Sequence, residues 1–288
     1  METREISMSM PDHVELAGRL YLPDGPGPHP TVVMSHGFSA VMDMGLQPYA
    51  HAFQAAGLAS LVYDHRNFGD SGGGIRQEVN PWQQIHDMRE VIAHARIQEA
   101  VDTDRIGLWG TSYSGGHVLV IGAVDRRVSC VVSQVPVTSG SSAIERMVTA
   151  PEMPTFLKNI YEDYDSRARG EKPATIPVYQ PGNETAIWAE TMGTGTSYQN
   201  EVTLRSRDLW LEYEPWCFMH RISPTPLLMI IAKYDTRVPT HDQLKAYHRA
   251  LEPKELLLLD CAHYDPYMSR LEEATIAARN FLVRHLKP

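Results

Sequence analysis

The sequence predicts an α/β fold with a mostly parallel central sheet flanked by helices. Strand-length apolar runs alternate with segments of helical periodicity along most of the chain. Between 105 and 135 a strand, a tight turn, a helix and a second strand arrive in the order that a βαβ unit needs. At 288 residues, 43% hydrophobic and 21% charged, the chain has the make-up of an ordinary globular protein and room for one large domain or two small ones. Disorder, collagen-like repeats and coiled coil are set aside.

Val14, Leu16, Leu20 and Leu22 alternate in strand fashion, and the Pro/Gly turn at 24–30 leads into the buried-strand run TVVMSH, so an antiparallel hairpin is expected at the sheet edge. A helical pattern over 46–56 ends at Gly57, and LASLVYD (58–64) reads as the next buried strand. Asn80 caps a helix that begins with Pro81 and carries Trp82, Ile85, Met88, Ile92 and Ala95 along one face. RIGLWG (105–110) is a strand, GTSYSGG a tight turn, HVLVIGAV a helix and VSCVVSQV (128–135) a strand. Buried-strand character resumes only at PLLMIIA (226–232), followed by a helix over 239–252, the strand KELLLLD (254–260) and an amphipathic helix over 266–286. The segment between, 137–222, is rich in aromatic, acidic and Pro/Gly residues. It is expected as an inserted, largely helical lid on a core of 1–136 and 223–288, with a structural subdomain or a dimer contact as the plainer reading.

A net charge of −9 argues against nucleic-acid and anionic-membrane partners. The first 20 residues hold no apolar run fit for a signal peptide and no stretch reaches about 18 apolar residues, so a cytoplasmic protein is expected. Cys130, Cys217 and Cys261 are odd in number and far apart, which suggests buried thiols with neither a disulfide nor a zinc site. Asn183-Glu184-Thr185 matches a glycosylation sequon and is read as accidental. Length leaves the oligomeric state open, with a homodimer as one reading.

The chemistry is concentrated at Gly110-Thr111-Ser112-Tyr113-Ser114-Gly115-Gly116, where a predicted strand meets a predicted helix. A serine on such a turn is forced into a strained conformation that lifts its hydroxyl above the sheet edge, and it needs small residues two before and two after it. Gly110 and Ser114 meet that demand, Ser114 standing where glycine is usual. A serine hydroxyl needs a histidine to take its proton and a carboxylate to orient that histidine. Asp235 lies just beyond the strand 226–232 and His263 just beyond the strand 254–260, both on the edge where Ser112 emerges; Asp260 and Asp265 are spare carboxylates. Two backbone amides are expected to receive an oxyanion, Tyr113 after the nucleophile and Phe38 in the turn His36-Gly37-Phe38. Gly69-Asp70-Ser71-Gly72-Gly73 spells the nucleophile context of trypsin-like proteases, but only 70 residues precede Ser71 and the surroundings are α/β. The better reading is a loop beneath the oxyanion turn, in which Asp64 and Arg66 pair and brace the backbone.

Taken together, His36-Gly37-Phe38, Asp64-x-Arg66-x-x-Gly69-x-Ser71, Gly110-x-Ser112-x-Ser114-Gly115, Asp235 and Cys261-Ala262-His263 resemble the α/β-hydrolase superfamily over nearly the whole chain. DHRNFGDSGGGIRQEVNPWQQIHD and WGTSYSGGH look like a subgroup of dienelactone-hydrolase-like and X-Pro-peptidase-like proteins that includes fungal polyketide acyltransferases and hydrolases. The resemblance implies an α/β-hydrolase fold with an inserted lid and a serine hydrolase of an ester or thioester with a hydrophobic portion, needing no cofactor and no metal. Met42, Met147, Phe156, Tyr161, Trp188 and Tyr198 are the candidate pocket residues. An acyltransferase, a peptidase or amidase, a C–C bond hydrolase and a non-catalytic ligand-binding homologue stay open.

Overall fold

The computed structural model of the chain describes residues 2–287. Its elements run β1 (Glu2–Ser9), β2 (Glu15–Leu22), β3 (His29–Ser35), α1 (Gln47–Ala55), β4 (Ala59–Tyr63), α2 (Pro81–Arg96), β5 (Val101–Thr111), α3 (Tyr113–Val124) and β6 (Val128–Gln134). After these come α4 (Gly140–Met147), α5 (Met153–Ala168), β7 (Thr175–Ile176), α6 (Glu184–Gly193), β8 (Val202–Thr203), α7 (Arg205–Leu211), a 3-10 turn (Pro215–Arg221), β9 (Leu227–Ala232), α8 (Thr240–Arg249), β10 (Lys254–Leu259), a short 3-10 turn (Asp265–Tyr267) and α9 (Leu271–Leu286).

Eight strands form one sheet in the order β1-β2-β4-β3-β5-β6-β9-β10. The β1–β2 hairpin lies antiparallel at one edge, β2 is antiparallel to β4, and every other neighbour is parallel. The alternation of strands and helices is present and an antiparallel hairpin stands at the edge, but it joins β1 to β2; the 24–30 turn instead leads into β3, an inner strand parallel to β4 and β5, which corrects the expected position of the hairpin. Successive residues of the central strands point to opposite faces. Val33, Leu108 and Val131 pack toward α2 and α3, while Met34, Trp109 and Val132 pack toward α1 and α9. Both faces are covered, which is why these strands read as unbroken apolar runs. Each fully buried side chain of this kind contributes roughly 1.5–3 kcal/mol relative to exposure. α3 has no polar face: Tyr113 through Ala123 are all buried.

Register decides what meets at the carboxyl edge of the sheet. Ser35 lies beside Gly110, Thr111 beside Gln134, Gln134 beside Ile230, and Ala232 beside Leu259. The loops that leave β3, β5, β9 and β10 therefore open side by side.

Between β6 and β9, the residues 137–222 carry α4 to α7, the two-residue strands β7 and β8 paired antiparallel, and the longer 3-10 turn. Glycines allow close approaches of this segment to α3 and within itself. A Cβ on Gly116 of α3 would meet the Tyr213 hydroxyl at 2.3 Å, and one on Gly140 would meet the Trp210 carbonyl at 1.8 Å. The sequon has a local use, because the Asn183 side chain caps α6 by accepting from the Ala186 amide at 2.9 Å. Cys130 and Cys261 are buried, but Cys217 is exposed, so the expectation of three buried thiols is corrected at that position: Cys217 sits on the outer side of the 3-10 turn. Among the described residues no helix is long and apolar enough to cross a membrane.

Candidate active site

Ser112 joins β5 to α3 with φ 55° and ψ −115°. For a residue with a Cβ this backbone costs about 1–3 kcal/mol and persists only where its surroundings fix it. Here the Ser112 amide donates to the Gln134 carbonyl at 2.8 Å and its carbonyl accepts from the Val137 amide at 2.8 Å, clamping the turn to β6. Gly110 has to be glycine, since a Cβ there would lie 2.3 Å from the Ser114 carbonyl oxygen. Ser114 fits because its buried hydroxyl has a partner, His65 Nε2 at 2.9 Å.

The three residues expected to act together are together. Ser112 Oγ is 3.1 Å from His263 Nε2, and His263 Nδ1 is 2.7 Å from Asp235 Oδ2. Asp235 is buried and accepts from four donors: His263 Nδ1, Gln243 Nε2 at 3.0 Å, and the amides of Arg237 at 2.9 Å and Val238 at 2.7 Å. These donors fix the carboxylate in place and aim one oxygen at the imidazole. The spare carboxylates are occupied elsewhere. Asp260 pairs with Lys233 on the surface, and Asp265 accepts from the Ala262 amide at 2.8 Å, shaping the loop that presents His263.

The turn after β3 comes up against the serine: a Cβ on Gly37 would lie 3.2 Å from Ser112 Cβ and 3.6 Å from Oγ. The next amide is that of Phe38, and that of Tyr113 opens α3. Among the described residues neither amide is engaged in the turn, loop and cap hydrogen bonds of the backbone. Asp64 supports this turn, but not as expected. Its carboxylate accepts from the Met42 amide at 2.7 Å and the Asp70 amide at 2.9 Å, and burial pushes its pKa up to about 6. Arg66 turns away to Asp87 and Asp12, so the predicted Asp64–Arg66 pair is corrected: backbone donors already fill the Asp64 side chain, and two other carboxylates hold the guanidinium. Ser71 is structural in its contacts, donating to the Asp64 carbonyl at 2.6 Å and accepting from the Ala17 amide at 2.9 Å.

Behind the serine turn lie three buried histidines. His36 Nδ1 donates to the Gly37 carbonyl at 3.1 Å while its Nε2 accepts from the His65 amide at 3.3 Å. His117 Nε2 donates to Gln84 Oε1 at 3.0 Å, and its Nδ1 accepts from the Tyr213 hydroxyl at 2.6 Å. Burial pushes the pKa of His36 down to about 4 and that of His117 to about 3, and holds His65 well below its ordinary value, so all three are neutral at pH 7.

A cavity of about 140 Å³, room for about five waters, opens over Ser112 and His263. Met147, Trp188 and Tyr198, all within 137–222, are among its lining residues. Met42, Phe156 and Tyr161 are not, and these three are corrections. Met42 is buried in the core with its amide tied to Asp64. Phe156 packs half-buried on the core, and α5 turns Ile160 and Asp163 inward, which leaves Tyr161 59% exposed. Sequence reasoning missed Tyr264, Tyr267, Trp210 and Arg207. Trp188 stacks on Tyr264, whose ring packs edge-on with His263, so the segment 137–222 reaches the histidine through two aromatic contacts. Phe38 stacks on Trp210 at 4.6 Å, and the Arg207 guanidinium lies 5.0 Å from the Phe38 ring centroid and 5.2 Å from that of Trp210. Burial, with Arg237 nearby, pushes Arg207 down to about 10, still charged at pH 7. Burying such a cation costs several kcal/mol, and stacking on aromatic faces returns up to about 2 kcal/mol of it. Among the described residues no group of three or more His, Cys, Asp or Glu side chains is arranged to hold a metal ion.

Residues 12–265 match the family model described as X-Pro dipeptidyl-peptidase (S15 family). The quorum-quenching protein AidA of Acinetobacter baumannii (strain MDR-ZJ06) is 31% identical, covering 96% of this chain and 92% of that one. The thiohydrolase aneE of Aspergillus aculeatus is 29% identical over 88% of this chain and 83% of its own. The polyketide transferase grgF of Penicillium sp. is 28% identical over 98% and 96%. The crystal structure of the α/β hydrolase GrgF from Penicillium sp. sh18 superposes with a TM-score of 0.87 at 27% identity, covering 99% of each chain. The chain belongs to the X-Pro dipeptidyl-peptidase (S15) family and is an enzyme of the α/β-hydrolase fold.

Proposed function

We propose that the protein is a serine hydrolase that cleaves a carboxylic ester or thioester with a hydrophobic portion through an acyl-Ser112 intermediate. The observation that carries the reading is the relay itself, Ser112 Oγ to His263 Nε2 at 3.1 Å and His263 Nδ1 to Asp235 Oδ2 at 2.7 Å. His263 takes the Ser112 proton as Oγ bonds to the carbonyl carbon, and the Phe38 and Tyr113 amides receive the developing oxyanion. Collapse expels the leaving alkoxide or thiolate, which takes the proton from His263. A water then gives a proton to His263 and attacks the acyl carbon, and the second collapse returns the proton to Ser112 and releases the acid. Asp235 fixes the Nδ1–H tautomer and stabilises the imidazolium. The relay uses no cofactor. Residues 137–222 act as a lid that walls the pocket, and the substrate is a small molecule handled in the cytoplasm.

The thiohydrolase relative favours a thioester as substrate. The polyketide transferase relative favours a second reading, in which an alcohol replaces the water in the second half-reaction. The test is turnover of a chain-length series of esters and N-acetylcysteamine thioesters by wild type and Ser112→Ala, with products identified by mass in the presence and absence of an alcohol acceptor. Free acid formed by wild type alone is expected. Free acid formed equally by Ser112→Ala would sink the reading, and an acyl-alcohol product in place of the acid would select the transferase.

A further inference from the structure

Arg207 lines the cavity over Ser112, is 9% exposed, and has no carboxylate partner among the described residues. Its guanidinium finds only the Met147 sulfur at 3.4 Å and the faces of Phe38 and Trp210. Its neighbours differ: Arg205, on the same helix, lies near Glu78, and Arg167 of α5 holds Glu78 and Asp163. The Trp210 indole N–H is also buried without an acceptor. The other two charged residues of the lining are Arg146 and Arg237, and no Asp or Glu faces the cavity, in a chain whose net charge is −9. A buried guanidinium fork with five donors and one weak acceptor lacks its counterion.

Resting on the hydrolase reading above, we propose that Arg207 is the specificity determinant for a substrate whose acyl chain carries a carboxylate, held by the guanidinium while the carbonyl lies at Ser112. A carboxylate is favoured over the phosphate of a coenzyme thioester because Arg207 lies against the Phe38 ring within the cavity over Ser112, an acyl chain's reach from the reacting carbonyl, whereas a pantetheine arm holds its phosphate farther from the thioester carbon. The apolar side chains of the lining, among them Met44, Leu46, Val137 and Ala143, suit the methylene chain that links the two ends.

The test compares kcat/KM for mono-4-nitrophenyl esters of dicarboxylic acids, adipate to sebacate, with 4-nitrophenyl alkanoates of the same carbon number. Wild type is expected to favour the ω-carboxylate at one length or more by roughly 10- to 100-fold, the worth of a hydrogen bond to a charged group. That ratio falls to near one in Arg207→Met and is partly retained in Arg207→Lys. No preference at any length in wild type, or a ratio unmoved in Arg207→Met, overturns the proposal. An Arg207-dependent preference for hexanoyl-coenzyme A over hexanoyl-N-acetylcysteamine, with no carboxylate preference, overturns it in favour of a phosphate. Thermal shift with hexanoate against hexanol needs no turnover. Arg207-dependent stabilisation by hexanoate alone supports the anion site even if every ester is inert, the outcome that would defeat the hydrolase reading instead; no such stabilisation then overturns both.

Discussion

His117 lies on α3 directly behind the serine turn, and replacing it with Asn tests how the protein keeps that turn dry. The Asn Oδ1 can still accept from the Tyr213 hydroxyl in place of Nδ1, but Gln84 Oε1 loses its donor. At pH 7.5 the loss is about 1–3 kcal/mol, the cost of an unpaired buried polar group. Acid changes the comparison. In the unfolded chain a histidine binds its proton near pH 6.5, whereas in the folded protein burial, helped by His36, delays this to about pH 3. A folded pKa below the unfolded one means the contribution of the group is complete above pH 6.5 and is lost as pH falls toward 3, about 5 kcal/mol in all at about 1.4 kcal/mol per pH unit. His36, held down to about 4, and His65 act in the same sense. Asp64 opposes them, because its folded pKa is raised to about 6, so its contribution grows as pH falls through 6 toward 4. As pH falls, wild type therefore loses stability more steeply than His117→Asn, by about one proton. Urea unfolding at pH 7.5, 6.5, 6.0, 5.5 and 5.0 measures both. The variant should start less stable and meet wild type at roughly pH 5. Curves that stay parallel over that range would refute the buried, neutral assignment of His117.

Gly37→Ala puts a Cβ 3.2 Å from Ser112 Cβ, so the serine has to give by a few tenths of an ångström; kcat/KM should fall several-fold, short of the roughly 100-fold that a full ångström costs, with the urea midpoint little changed. Asp235→Asn places an amide where Gln243 and two backbone amides all donate, and the tautomer of His263 is lost; kcat should drop by roughly 10⁴-fold, measured by stopped-flow release of 4-nitrophenol from an ester the wild type turns over. Ser71→Ala should keep the activity per folded molecule and lower stability by about 1–3 kcal/mol in urea, since the Ala17 amide and the Asp64 carbonyl lose their shared partner.

The sheet is legible in the sequence because a strand buried on both faces has to be apolar throughout, as TVVMSH, VSCVVSQV and PLLMIIA are. Ser112 and Asp235 are legible because each follows such a strand, and His263 because it follows the apolar run of β10, an edge strand that is largely exposed; parallel strands bring all three carboxyl ends to one edge. The pocket walls are less so. Met147, Trp188 and Tyr198 read no differently from Phe156 and Tyr161, because composition does not tell which side of an inserted helix faces in. Asp64 and Arg66 are two residues apart and oppositely charged, yet backbone donors 6 and 22 residues from Asp64 fill its carboxylate. Ser114 depends on His65, 49 residues away. Arg207 sits in RSRDLWLEY, which looks like a solvated helix face; only its 9% exposure and the missing carboxylate set it apart.

The central claim is that Ser112 is activated by His263, and the most direct measurement is intact-mass and peptide-mapped labelling with a fluorophosphonate on wild type, Ser112→Ala, Ser71→Ala and His263→Ala. The account predicts one stoichiometric adduct on the Ser112 peptide, kept in Ser71→Ala and lost in the other two variants. An adduct on Ser71, or none on a folded wild type, would contradict it.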